Sequence, residues 1–160
     1  MKKIFLFFSI FWLLFCLSEF AFGAGSDISF AARVDVVTHT GARWVEFTAT
    51  CTADDTDGTY PDTQIPGDLR GYKLYSVGTY PGGTGPTADS DLTITEGSAS
   101  GEDILGGAGV DQIDTSTDNV FKPLVGSTGV DVPIYRSSWI QIDNNSVNDA
   151  VVVIILKFIQ

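Results

Sequence analysis

Beyond residue 23 the chain has almost no stretch with helical spacing; its apolar residues come in short runs cut apart by Gly, Asp, Pro and Ser. Val, Ile, Thr and aromatic residues dominate the runs, and turn-forming residues dominate the gaps. That is the pattern of short β-strands joined by turns. Arg43–Cys51 (RWVEFTATC) is the clearest case. Period-two spacing puts Trp44, Glu46, Thr48 and Thr50 on one face and Val45, Phe47, Ala49 and Cys51 on the other, so the second face is expected to point into a core.

Further strands are expected at Ser29–Val37, Arg70–Val77, Asp91–Thr95, Val120–Val125, Val130–Ile134, Trp139–Ile142 and Ala150–Ile159. The short polar link Thr38–Gly41 suggests a hairpin between the first two. In Arg70–Val77, Tyr72, Leu74 and Ser76 should share one face and Lys73, Tyr75 and Val77 the other. Thr52–Gly67, Gly78–Asp89 and Gly97–Asp118 read as loops, the last with a weak apolar pair at Ile104 and Leu105. About eight short strands at regular spacing predict a single all-β domain, an antiparallel β-sandwich of jelly-roll-like kind. There is no internal repeat.

The last strand departs from the half-buried pattern. Val151–Leu156 (VVVIIL) is apolar on both faces. Either it is central and covered on both sides, or Val151, Val153 and Ile155 meet another subunit, since an uncovered apolar strand invites aggregation. A homo-oligomer or a lattice partner is the expectation.

The first 23 residues have a separate logic. Lys2 and Lys3 precede an apolar run from Ile4 to Leu17, and Ala21-Phe22-Gly23 puts small residues before a cut ahead of Ala24. This is the layout of a secretory signal peptide. A transmembrane helix needs roughly 20 apolar residues, so no stable membrane span is expected after cleavage. Two other readings of the segment are a lipoprotein signal ending at Cys16, against which the bulky Phe15 counts, and an uncleaved anchor, against which Glu19 counts. Residues 24–160 would then be an exported domain, in the periplasm, on the cell surface or outside the cell. Losing Lys2, Lys3 and Glu19 leaves seven Lys and Arg against nineteen Asp and Glu. So acidic a domain repels phosphate backbones, and no nucleic-acid partner is expected. Cys51 then stands alone, without an intrachain disulfide partner, and fits a buried apolar strand position.

Candidate chemistry is sparse. Asp55, Asp57 and Asp62 in Ala53–Asp62 (ADDTDGTYPD) resemble a calcium loop, without the twelfth-position Glu of an EF-hand. Gly106–Asp114 (GGAGVDQID) matches one copy of a glycine-rich calcium repeat, which would use Asp111; that motif works by stacking copies, and here there is one. A solvated acidic turn is the simpler reading of the first, and a lone match in a Gly/Asp-rich chain that of the second. No other cofactor is suggested. His39 is the sole histidine and no G-x-S-x-G elbow is present, so neither a triad nor a His-built metal site is indicated. Glu46, Glu96 and Glu102 supply carboxylates for a hydrolytic pair, but nothing marks a pair out. The chain is expected not to be an enzyme. Trp44, Tyr72, Tyr75, Tyr80 and Trp139 offer aromatic surface for stacking on sugars, or simply core packing.

Several segments together resemble a family of small phage virion proteins. They are Ala53–Gly58, Gly71–Leu74, Pro86–Ile94, Asp103–Gly109, Pro123–Val125 and the Asn-rich turn Asn144–Asn148 before the closing apolar strand. The similarity spans most of residues 45–158. It implies a non-enzymatic all-β structural subunit that packs against copies of itself or against a capsid or tail lattice. An exported relative would serve as a cell-surface or extracellular filament subunit, or as a prophage-derived protein used by its host.

Overall fold

The computed structural model describes residues 26–31, 33–37 and 43–160. The expected signal peptide, His39 and the expected Thr38–Gly41 hairpin link lie outside the described residues. Among the described residues thirteen strands are present: β1 (Asp27–Phe30), β2 (Val34–Val37), β3 (Arg43–Thr52), β4 (Thr63–Gln64), β5 (Lys73–Pro81), β6 (Asp91–Glu96), β7 (Glu102–Asp103), β8 (Asn119–Phe121), β9 (Leu124–Val125), β10 (Thr128–Gly129), β11 (Val132–Pro133), β12 (Ser138–Asp143) and β13 (Val151–Ile159). Five of them are two-residue pairings: β4, β7 and β10 lie inside what the sequence presents as loops, whereas β9 and β11 are all that forms of the C-terminal part of the expected strand Val120–Val125 and of the expected strand Val130–Ile134. No helix occurs among the described residues, and so none there is long and apolar enough to cross a membrane.

Every strand pairing is antiparallel. The larger sheet runs β1-β3-β13-β5-β11, with β2 also on β3 and β8 also on β5; a smaller sheet runs β4-β12-β6-β7. The apolar last strand is therefore central, hydrogen-bonded to β3 on one side and β5 on the other. Its Val152, Ile154, Leu156 and Phe158 are fully buried beside Val45, Phe47, Ala49 and Cys51 of β3. Phe47 and Phe158 meet edge to face at 6.0 Å, the arrangement their ring quadrupoles favour. Leu92 and Ile94 of β6 and Ile140 and Ile142 of β12 join the same core from the smaller sheet. Loop residues Tyr60, Ile65, Leu69, Leu105, Ile113 and Ile134 complete it.

Two details differ from the sequence expectation. The expected first strand is broken into β1 and β2. Phe30 pairs with Ala49 and Val34 with Glu46, so one extra residue sits on the outer strand of the pair. Arg33, beside this break, is pinned by Asp35 at 2.9 Å and by the Tyr72 hydroxyl at 3.2 Å. In β5, Lys157 pairs with Ser76 but Phe158 pairs with Leu74, which leaves Tyr75 in a bulge. A bulge reverses the facing of everything beyond it. Leu74 points inward on one side of the bulge and Val77 and Thr79 on the other, contrary to strict alternation.

β5 also runs on through Gly78 where a turn was expected. A Cβ at Gly78 would lie 2.7 Å from the Tyr80 ring. The glycine admits that ring across the outer face of the strand, where it stands in for the missing side chain.

Two outcomes follow. Cys51 is fully buried, and desolvation, with a smaller contribution from the Asp27 charge, pushes its thiol up to about 12. It should resist a thiol reagent at neutral pH in the folded protein and react promptly in denaturant. Leu156→Ala empties a buried position in the central strand, and chemical denaturation should show a loss of roughly 2–5 kcal/mol.

Candidate functional site

The first acidic loop is organised by Asp54, a residue the sequence reading did not single out. Its Oδ1 accepts the N–H groups of Thr56 at 2.8 Å and Asp57 at 3.4 Å, closing the turn. Asp57 Oδ1 accepts from the Thr59 N–H at 3.0 Å and its hydroxyl at 2.7 Å. These bonds, the backbone one first, hold the Asp57 carboxyl below its usual range. Asp55 accepts from the Thr56 hydroxyl at 3.0 Å, and Asp62 from the Gln141 amide at 3.1 Å, so Asp62 is drawn towards β12.

This loop is tied to two others through Asn145. The Asn145 Nδ2 donates to the carbonyls of Gly58 at 2.6 Å and Val147 at 2.9 Å, while its Oδ1 accepts the Thr87 N–H at 2.8 Å. Ser146 N–H donates to the Thr87 hydroxyl at 2.8 Å. Loops around residues 58, 87 and 145 thus form one hydrogen-bonded cluster at an end of the molecule. Polar side chains that satisfy neighbouring backbone groups in this way fix loops that no core holds.

The glycine-rich segment has a similar role. Asp103 accepts the N–H groups of Leu105 and Gly107, each at 2.8 Å. A Cβ at Gly109 would collide with the Leu92 carbonyl, and the Gly109 carbonyl accepts the Leu92 N–H at 2.9 Å. Ile113, in the motif's apolar slot, is fully buried and bridges to Ser90. The segment docks on β6 instead of stacking on a second copy of itself. Asp111 donates its N–H to Asp91 at 2.8 Å. Among the described residues, no three His, Cys, Asp or Glu come together in a group able to hold a metal ion.

The five aromatic residues do not form one surface. Tyr72 is buried in the core. Trp44 and Tyr75 meet edge-on at 4.8 Å on the outer face of the large sheet, with the Lys122 ammonium 3.9 Å from the Tyr75 ring centre. Tyr80 pairs across from Val153 on that same face, and Trp139 stands on the outer side of the small sheet. On the outer face of the large sheet, Trp44, Glu46, Tyr75 and Lys157 border an apolar recess of about 510 Å³. Val151, Val153 and Ile155 lie half-buried along the middle of the face. Val120, 68 % exposed, and Gly78 share a row with Ile155.

A second concavity, of about 440 Å³, opens between residues 67–70 and 135–138. Arg70 grips Asp68 through Nε at 2.8 Å and Nη2 at 2.6 Å. That side-chain grip, helped by the Arg70 N–H, holds the Asp68 carboxyl down at about 2. A carboxyl lowered in the fold adds stability that is present above its ordinary pKa near 4 and lost as pH falls through about 2. The Asp68 carboxyl carbon should therefore titrate near pH 2 by NMR, and Arg70→Ala should return the midpoint to the ordinary carboxylate range.

Compared with family models, with curated proteins and with solved structures, the chain matches none.

Proposed function

We propose that this protein is a non-enzymatic structural subunit that self-associates through the outer face of its large sheet. In this reading the two sheets form a jelly-roll-like β-sandwich, exported behind a cleaved leader. The assembly is of the phage-virion or extracellular-filament kind that the sequence resemblance implies.

One observation carries the reading. Val151, Val153 and Ile155 are apolar residues on the outward side of the central strand, and no second layer among the described residues covers them. The Tyr80 ring and neighbouring β-branched side chains shield them only in part, so each remains half-buried. Val120 at 68 % and Val34 at 53 % exposure continue the apolar surface toward the sheet margins. Burying such a surface contributes about 25 cal/mol per Å². Ion pairs at the rim, Lys157–Glu46 at 3.5 Å and Lys122–Asp131 at 3.0 Å, fit the usual plan of an apolar interface centre with a polar margin. The strand edges offer a poorer route to assembly, because β1, β2, β8 and β11 at the margins are each four residues or fewer.

Light scattering after size exclusion measures the assembly. The wild-type protein should run as an oligomer or filament whose mass is the same with and without millimolar calcium. Val153→Asp and Val120→Asp should each reduce it to a monomer of unchanged fold. A wild-type monomer, or variants that assemble normally, would sink the proposal. Growth of the assembly only on adding calcium would point instead to the Asp55 and Asp111 loops.

A further inference from the structure

We infer that the cleft between residues 67–70 and 135–138 binds an acidic saccharide, a hydroxylated ring carrying a carboxylate. This site lies apart from the outer face of the large sheet and does not depend on self-association.

Outside the leader the chain has only seven basic residues, yet two of them, Arg70 and Arg136, line this one cleft. Each arm is held in place by a carboxylate. Asp68 fixes the Arg70 guanidinium through two of its N–H donors and leaves the others uncommitted to it. Glu96 Oε1 accepts the Arg136 N–H at 2.8 Å and also the Tyr135 N–H, which sets the backbone that carries both side chains. Backbone bonds from Gly71 to Ile134 at 3.0 Å and from Ile65 to Ser138 at 2.8 Å join the two arms. The cleft is preorganised, so binding need not order it.

The remaining groups suit a sugar better than a bare anion. Tyr135 lines the cleft while 69 % exposed, and its ring offers an apolar face for the C–H groups of a pyranose. Ser138 lines it too. It is only 2 % exposed, and its Oγ has no hydrogen-bond partner among the described residues. A buried hydroxyl without a partner is costly, and a ligand hydroxyl would satisfy it. Arg70 and Arg136 both line the cleft, and guanidinium groups carry the paired donors that planar anions favour. The volume of about 440 Å³ suits one or two sugar units.

Isothermal titration of the purified protein with methyl β-D-glucuronide, methyl β-D-glucoside and sodium sulfate tests the assignment. The glucuronide should bind saturably, and the glucoside and sulfate at least about tenfold more weakly, as expected for loss of the charged contacts or of the ring contacts. Arg136→Ala should weaken the glucuronide by about tenfold without changing the assembly mass. Ser138→Ala should weaken it while leaving the melting temperature the same or higher, an outcome that a purely structural serine would not give. Equal binding of glucoside and glucuronide, sulfate binding as tight as the glucuronide, no binding at all, or unchanged affinity in both variants would overturn the inference.

Discussion

The structure hangs on the insertion of β13 between β3 and β5. Its backbone satisfies hydrogen bonds on both sides, and its inward residues Val152, Ile154, Leu156 and Phe158 are fully buried. Without it, β3 and β5 would be two hairpin-scale fragments with unpaired edges. With it, a single cluster of apolar side chains joins the large sheet to the small one. The facing of β3 and the inward turn of Leu74, Val77 and Thr79 are set by their register against this strand.

The parts of this arrangement that were legible in the sequence are those governed by local pattern. β3 alternates because one face is buried and the other is not, and Val45, Phe47, Ala49 and Cys51 declare it. The two-sided apolarity of β13 was equally plain, and central pairing explains its inward half. What was not legible depends on partners distant in sequence. The bulge at Tyr75 arises from how β5 meets Lys157 and Phe158, and nothing near Tyr75 announces it. The break between β1 and β2 is likewise a matter of register against β3.

The same distinction separates the candidate sites. Acidic and glycine-rich loops draw attention in a sequence because calcium loops are built from the same residues. Here Asp54, Asp57 and Asp103 spend their oxygens on neighbouring N–H groups. Asn145, which ties three loops together, has no local signature. Arg70 and Arg136 are far apart in the chain and share no motif; only the pairing of residues 65–71 with 134–138 brings them to one cleft. Nor does any local signal separate Ser138 from other serines in strands.

The order of the strands along the chain has a consequence for how the molecule forms. The central strand comes after the other twelve described strands, and Ile159 pairs with Trp44 across most of the described sequence. Residues 44–159 must all be present before the middle of the large sheet can close. Contacts of such long sequence separation carry a high loop-closure entropy and make folding slow. Until β13 arrives, the inner faces of β3 and β5 have no common partner. Folding of the large sheet is thus held back until β13 is made, and the segment before it stays in an open form until then, with Val45 and Phe47 within reach of chaperones and proteases.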